Sequence, residues 1–221
     1  MTIGLRVLAR RRKVDADTVA KFRSLPVANV SDVMSRMSAG GPRLRPLHAG
    51  GAMAGPALTV KTRPGDNLMI HKALLMVEKG DVIVVDAGGD LTTAMVGELM
   101  ISHAIAVGAA GMVINGAVRD YGWIKSNSFP VFAAGVTHRG PYKDGPGEIN
   151  VPVSVGGMVV NPGDIVVGDQ DGLMAFAPDE AELLIEKARA HLATEAETIR
   201  AMKEGRWDRA FIDALEARCA N

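Results

Sequence analysis

The chain has 221 residues, of which 25 are lysine or arginine and 25 are aspartate or glutamate. This balance argues against a nucleic-acid-binding surface, and no apolar run is long enough to cross a bilayer. The N-terminal segment lacks the apolar core and cleavage site of a signal peptide, and a single cysteine excludes an internal disulfide framework. We therefore expect one cytoplasmic domain over residues 1–221, with neither nucleic acid nor membrane as a partner.

The predicted elements begin with two short helices in residues 1–40. They are separated at Pro26, and Ser31 and Asp32 are the predicted caps of the second helix. A Gly- and Pro-rich segment follows, and then a strand over 57–62 that ends at a Pro-Gly-Asp turn. The next segment, LMIHKALLMVEKG, has apolar residues at helical spacing and a glycine at its end, which predicts a third helix.

The most regular pattern lies in residues 81–115. Two short, nearly continuous apolar runs, DVIVVD and GMVIN, flank a helical segment that is predicted to begin near Glu98 and to end at Gly108. Such runs are typical of strands buried on both faces, and a helix between them predicts a parallel pair with a right-handed crossover. FPVFAAG is a further candidate strand, after a predicted loop over 116–128.

The second half of the chain has a different pattern. Residues 151–178 contain short apolar segments punctuated by Gly, Pro and Asp, which predicts antiparallel hairpins. The tail over 178–221 begins with Pro-Asp-Glu and continues as a long charged helix with an apolar stripe. The elements together predict an α/β domain: a mostly parallel sheet with helices, a second β layer, and helical ends.

Two loops of this predicted sheet carry the residues suited to chemistry. One loop follows Asp86 and leads to Gly97 and Glu98, and the other follows the next strand and contains Arg119 and Asp120. Loops that leave the carboxyl ends of neighbouring parallel strands gather at one edge of the sheet. We therefore expect Arg119 and Asp120 to face the N-terminus of the helix that begins near Glu98.

This juxtaposition would suit a small anion. The start of the helix offers unpaired N–H groups and a partial positive charge for a carboxylate, at Gly97, Glu98, Leu99 and Met100. Arg119 adds a planar cation for a carboxylate or enolate oxygen, and Asp120 adds an oxygen ligand for a divalent cation. The combination predicts a site in which a small keto acid binds together with a divalent cation. The alternatives are a solvated turn at Arg119-Asp120 and a plain helix entry at Gly97.

The segment VGELMISHAIAVGAAGMVINGAVRD resembles the RraA-like family, which includes the 4-hydroxy-4-methyl-2-oxoglutarate / 4-carboxy-4-hydroxy-2-oxoadipate aldolases. The likeness also covers VSDVM, PGDN, GDVIVVD and NPGDIVVGDQDG, and so nearly the whole chain after its first helix. The family motif is an acid, twenty intervening residues and Arg-Asp, which here is Glu98 followed by Arg119 and Asp120. The first acid is aspartate in the best-known aldolases, so Glu98 is a departure.

The resemblance implies a three-layer β/β/α sandwich of the swivelling-domain type, with helical N- and C-terminal extensions, assembled as a homotrimer or homohexamer. It implies that Asp120 binds Mg²⁺ or Mn²⁺ largely through water, and that Arg119 binds the keto oxygen of a substrate whose pyruvyl part lies at the helix N-terminus. A glutamate from a neighbouring subunit's C-terminal helix would support the metal waters, with Glu195 and Glu197 as the candidates.

The implied activity is a class II aldolase. It would cleave a 4-hydroxy-2-oxo acid, such as 4-hydroxy-4-methyl-2-oxoglutarate, to pyruvate, and it would decarboxylate oxaloacetate through the same enolate. Arg119 would stabilise the enolate, and Glu98 would position a water that carries the proton. The candidates that would line the pocket beyond C4 are Asn67, His71 and Tyr121.

Three other functions remain open at this stage. Some RraA-like proteins regulate ribonuclease E by protein contact, and the metal site would then be idle. A methyltransferase is the second, but VVDAGGD contains only Gly88 and Gly89, and the next predicted strand ends in Asn115 rather than in an acid. The third is a related lyase or hydrolase that acts on another 2-oxo acid.

Overall fold

The computed structural model of the chain describes residues 4–10, 14–212 and 215. Its strands are Leu5–Val7 (β1), Arg45–Pro46 (β2), Met53–Thr62 (β3), Val82–Asp86 (β4), Ala94–Val96 (β5), Gly111–Val118 (β6), Val131–Val136 (β7), Gly147–Ile149 (β8), Val153–Val155 (β9), Met158–Val160 (β10), Ile165–Gly168 (β11) and Leu173–Phe176 (β12). Its helices are Ala16–Phe22 (α1), Val27–Val33 (α2), Leu68–Leu74 (α3), Glu98–Ala106 (α4), Tyr121–Lys125 (α5) and Ala181–Lys203 (α6). Within these residues, no helix combines the length and the apolar character needed to span a bilayer.

Parallel strands form the centre of the main sheet, whose order is β1-β8-β3-β4-β6-β7-β2. β3, β4, β6 and β7 are parallel neighbours, and α4 connects β4 to β6 by way of the short strand β5. The predicted strand–helix–strand unit is therefore present. β8 and β11 pair antiparallel with the two halves of β3, and β12 completes a hairpin with β11.

Each face of the sheet has its own apolar core. Ile83, Val85 and Ile114 lie on the face covered by α3, α4 and α5. Val84 and Val113 lie on the other face, which is covered by the hairpins β9–β10 and β11–β12 and by α1, α2 and α6. Both faces are buried, so these strands have continuous apolar sequences although their side chains alternate between faces. The predicted β/β/α sandwich is confirmed.

Two element boundaries near the N-terminus differ from the prediction. α2 begins directly after Pro26, so Ser31 and Asp32 lie inside the helix and do not cap it. Proline is well tolerated at a helix start, where its missing N–H costs no intrahelical bond. β3 begins at Met53 rather than at residue 57, because its first half pairs with β11.

The second set of differences lies next to Arg119. β6 continues beyond Asn115 to Val118, because β5, which falls in a segment predicted to be a loop, pairs with its last residues. Arg119 therefore follows a strand directly. The predicted loop over 116–128 contains the end of β6 and the short helix α5.

A buried ion pair fixes the N-terminal segment to the sheet. Nη1 of Arg10 donates to Oδ1 of Asp81 at 2.6 Å, and the two side chains are 7% and 1% exposed. The other carboxylate oxygen accepts the N–H of Glu78 at 2.8 Å. Burial raises the pKa of Asp81, although the hydrogen bonds from Arg10 and from the Glu78 N–H act in the opposite direction.

We expect Arg10→Ala to lower the free energy of unfolding by about 3–5 kcal/mol near neutral pH, because Asp81 would be left buried without its counter-ion. The pKa of Asp81 would rise further above its unfolded value. Stability is then retained at low pH, where the carboxyl is protonated, and is lost as the pH rises through the folded-state pKa.

Urea unfolding at about pH 5 and about pH 8 measures this difference. The matched control is Arg6→Ala, because Arg6 pairs with Glu148 while remaining 41% exposed, and such pairs contribute less than about 1 kcal/mol. If the two variants lost the same free energy of unfolding at both pH values, the buried Arg10–Asp81 pair would contribute no more to stability than the exposed Arg6–Glu148 pair.

Candidate active site

Gly97, Arg119 and Asp120 meet at the carboxyl edge of the parallel strands. The N–H of Arg119 donates to the carbonyl of Val96 at 3.0 Å, which ties the end of β6 to the entry of α4. The N–H of Glu98, the first residue of α4, donates to Oδ2 of Asp120 at 2.9 Å. Arg119 and Asp120 therefore face the N-terminus of α4, as the loop geometry predicts.

Asp120 has a left-handed backbone conformation, with φ 59° and ψ 39°, at the start of α5. Few residues other than glycine, asparagine and aspartate adopt this conformation readily. It turns the carboxylate back towards α4, where Oδ2 also lies 3.8 Å from Nε of Arg119. Neighbouring side chains of a regular strand would point to opposite faces, so the departure from strand geometry brings the two charges together.

Gly97 is required by the close approach of these side chains to α4. A Cβ atom at this position would lie 2.3 Å from Oδ2 of Asp120 and 2.8 Å from Cγ of Arg119. Its backbone is extended, with φ −150°, so the requirement comes from space and not from backbone conformation. Any side chain at residue 97 would displace the charged pair.

A cavity of about 120 Å³ opens beside the first turn of α4. Its walls come from α3, β5, the start of α4, the end of β6 and the segment between β7 and β8, and its polar lining residues are Asn67, His71, Arg119 and Lys143. Drug-sized ligand pockets start at roughly 300 Å³, so this volume fits a small organic acid.

Fewer N–H groups are available to an anion at the helix start than the sequence predicts. The N–H of Glu98 is used by Asp120, and the N–H of Met100 donates to the carbonyl of Gly97 at 3.1 Å. Leu99 lines the cavity and is 81% exposed. The first N–H groups of a helix have no intrahelical acceptors, so the Leu99 N–H can donate to a ligand in the cavity.

The other predicted lining residues had mixed outcomes. Asn67 and His71 line the cavity, whereas Tyr121, at the start of α5, is not among its lining residues. Sequence reasoning missed Lys143, which lies in the Gly- and Pro-rich segment GPYKDGPG. That segment carries no periodic pattern, so only its turn residues were informative. The segment is anchored by the buried Asp66, whose carboxylate accepts the N–H groups of Asp144 and Gly145, and the sequence gives no sign of this contact.

The two candidate glutamates lie on α6, on the opposite side of the sheet from α4. Glu197 forms an ion pair with Arg200 on the same helix. Glu195 accepts a hydrogen bond from Nδ2 of the buried Asn29 at 2.6 Å. Asn29 therefore fixes the orientation of Glu195, whereas the ion pair of Glu197 is with a neighbour on its own helix.

Glu195 also belongs to a group of three side chains that could share a cation. Nε2 of His191 lies 3.4 Å from Oδ2 of Asp32 and 3.4 Å from Oε1 of Glu195. The group joins α2 to α6. Its position leaves the carboxylate of Glu195 at the protein surface, where another molecule can approach it.

The Gly88-Gly89 turn does not have the arrangement of a cofactor loop. Oδ1 of Asp86 accepts the N–H of Gly88 at 3.0 Å, and Oδ2 accepts the N–H of Ser154 at 3.3 Å. The acid at the end of β4 therefore closes its own turn and contacts the β9–β10 hairpin.

The chain is an α/β protein in which an arginine–aspartate pair lies against a helix start at the carboxyl edge of a parallel sheet, an arrangement suited to a small anion. The chain belongs to the RraA-like family, because the family model described as Aldolase/RraA matches residues 27–175.

Three proteins illustrate what this chain is similar to. The chain is 36% identical over 192 residues to a Halalkalibacterium halodurans protein provisionally named 4-hydroxy-4-methyl-2-oxoglutarate aldolase, a match that covers 87% of this chain and 91% of that one. A solved structure of an uncharacterized Pseudomonas syringae pv. tomato protein is 25% identical, with a TM-score of 0.77, and covers 88% and 96% of the two chains. Streptomyces coelicolor RraAS2, described as an unusual member of the RNase ES inhibitor RraA protein family, is 26% identical, with a TM-score of 0.75 and coverage of 84% and 96%.

Proposed function

We propose that the protein is a divalent-metal-dependent aldolase that cleaves a 4-hydroxy-2-oxo acid, such as 4-hydroxy-4-methyl-2-oxoglutarate, to pyruvate, and that it also decarboxylates oxaloacetate. The observation that carries the proposal is the contact of the Arg119–Asp120 pair with the first turn of α4. The name of the H. halodurans relative supports the aldolase class.

The helix start binds the carboxylate of the pyruvyl group, and Arg119 binds its keto oxygen. The substrate carboxylate accepts the Leu99 N–H at the positive end of the α4 dipole. The guanidinium of Arg119, whose side chain is 43% exposed, donates to the keto oxygen at C2. This orientation places the bond between C3 and C4 in the cavity.

Cleavage develops negative charge on the keto oxygen. The C4 hydroxyl loses its proton, a C4 carbonyl forms, and the electrons of the C3–C4 bond move into the C2 carbonyl to give an enolate. Arg119 stabilises this oxygen electrostatically, and protonation at C3 then gives pyruvate. Glu98 is the first residue of α4, and we assign to its carboxylate the positioning of the water that carries the proton.

The residues present fit a magnesium or manganese ion. Asp120 offers a carboxylate that is 41% exposed, and such cations are commonly held by one or two carboxylates while they keep several waters. The cation would act as a Lewis acid on the 2-oxo acid. Because α6 lies across the sheet from Asp120, a supporting glutamate would come from another subunit of a homo-oligomer. Glu195, which Asn29 orients, and Glu197 are both candidates for this role.

Pyruvate release measured with Mg²⁺ and with EDTA tests the proposal. We expect release from oxaloacetate and from 4-hydroxy-2-oxo acids with Mg²⁺, none with EDTA, and a loss of at least about 10²-fold in Asp120→Ala. Asp90→Ala is the control, because the Asp90 carboxylate caps a local turn at Thr92 and does not line the cavity. Chelator-resistant pyruvate release would contradict the metal requirement.

The similarity to RraAS2 favours a second candidate, a regulator that acts on a ribonuclease by protein contact. The same fold would then present its surface and would not use Arg119 for chemistry. This candidate would be supported over the aldolase by two results together. The wild type and Arg119→Ala would both inhibit a ribonuclease E-type enzyme, and the wild type would release no pyruvate from any 2-oxo acid.

A further inference from the structure

We propose that the part of the cavity formed by α3 and the β7–β8 segment is a second subsite, in which Lys143 binds a distal substrate carboxylate and Asn67 and His71 bind the C4 hydroxyl. This inference rests on the proposed aldolase function. It adds the residues that select a dicarboxylic substrate over a monocarboxylic one.

Asn67 lines the cavity and has an unpaired acceptor. The residue is 3% exposed, and its Nδ2 donates to the carbonyl of Met95 at 3.0 Å and to Sδ of Met100 at 3.1 Å. Its Oδ1 is buried and has no hydrogen bond among the described residues. A buried acceptor without a donor is unfavourable, and a substrate hydroxyl supplies a donor of the right size.

His71 is the second group that lacks a partner. Its Nε2 atom is buried without a hydrogen bond in the described part of the chain, and the ring lines the same cavity. Burial lowers the pKa of His71, and the nearby charges of Lys143 and His103 lower it further. The ring is therefore neutral near neutral pH, and it suits a hydroxyl better than a carboxylate.

The charges of the cavity match a dianion. Arg119 and Lys143 are its charged lining residues in the described chain, and none of the lining residues is acidic. Arg119 is used at the pyruvyl end in the proposed reaction. Lys143 then supplies a second positive charge for a carboxylate at the other end of the substrate, as electrostatic complementarity requires.

Lys143 lies in a segment whose backbone is anchored. Asp66 is fully buried, and its Oδ2 accepts the N–H groups of Asp144 at 2.7 Å and Gly145 at 2.9 Å. On the other side of Lys143, the Asn67 N–H donates to the carbonyl of Tyr142 at 3.0 Å. The turn that holds Asn67 therefore also fixes the backbone on both sides of Lys143, which is the preorganisation that a specificity site needs.

Binding of two matched ligands tests the subsite without requiring turnover. 2-Oxoglutarate and 2-oxopentanoate differ in having a carboxylate or a methyl group at C5. In calorimetry with Mg²⁺, we expect the wild type to bind 2-oxoglutarate about 10- to 100-fold more tightly, as one charge-assisted hydrogen bond allows. Lys143→Met should abolish the difference, whereas Lys143→Arg should retain most of it.

Lys125→Met is the matched control, because Lys125 lies on α5 and does not line the cavity. It should keep the wild-type preference. The subsite proposal would be wrong if Lys143→Met still preferred 2-oxoglutarate, or if the wild type showed no preference between the two ligands. Exchange of the pyruvate methyl protons with D₂O separately tests enolate formation: its absence would refute the aldolase proposal, while the binding comparison would still decide the subsite.

Discussion

Arg119→Ala is expected to reduce kcat for pyruvate formation by about 10²- to 10³-fold, because one preorganised donor to a developing oxyanion contributes about this much. In the proposed reaction, the guanidinium contacts the charge that appears only when the C3–C4 bond breaks. The loss should therefore fall mainly on kcat, with a smaller effect on KM. The side chain is 43% exposed, so the fold should tolerate its removal.

Arg119→Lys separates charge from geometry. A lysine keeps the positive charge but lacks the planar, forked donors of a guanidinium, so we expect only partial recovery of kcat. Arg139→Ala, in the exposed segment after β7, is the control for loss of a nearby arginine and should leave kcat unchanged. Wild-type pyruvate release from purified Arg119→Ala would refute the assigned role.

Gly97→Ala should have a comparably large effect through a single added methyl group. The new Cβ would lie 2.3 Å from Oδ2 of Asp120, so that carboxylate must move and lose its hydrogen bond to the Glu98 N–H. We expect kcat/KM to fall by about 10²-fold, the effect of a misplacement of about 1 Å in an active site. The Mg²⁺ concentration needed for half-maximal activity should rise at the same time.

Gly122→Ala is the matched control for this substitution. Gly122 lies inside α5, close in sequence to Asp120, and a Cβ there would meet no atom within 4 Å. Alanine is a better helix former than glycine by up to about 1 kcal/mol, so this variant should be at least as stable as the wild type and fully active. If both variants behaved alike, the space at Gly97 would not explain the site.

Most of the fold could be predicted from local patterns. The apolar runs of β4, β6 and β7 and the helical spacing of α4 report burial along one short segment, and a segment carries that information by itself. Two of the errors lie where pairing with another strand decides the boundary. β3 begins at Met53 because it pairs with β11, and β6 continues to Val118 because it pairs with β5.

The sequence by itself determined that Arg119 and Asp120 follow a parallel strand and face the start of α4, because connection rules place neighbouring loops at one edge of a sheet. Only the tertiary structure decided how the site is completed. The left-handed backbone of Asp120 aims its carboxylate at Glu98, and the buried Asp66 holds the segment of Lys143 beside Asn67. These contacts join segments far apart in the chain, and their geometry depends on packing and buried hydrogen bonds that no local pattern records.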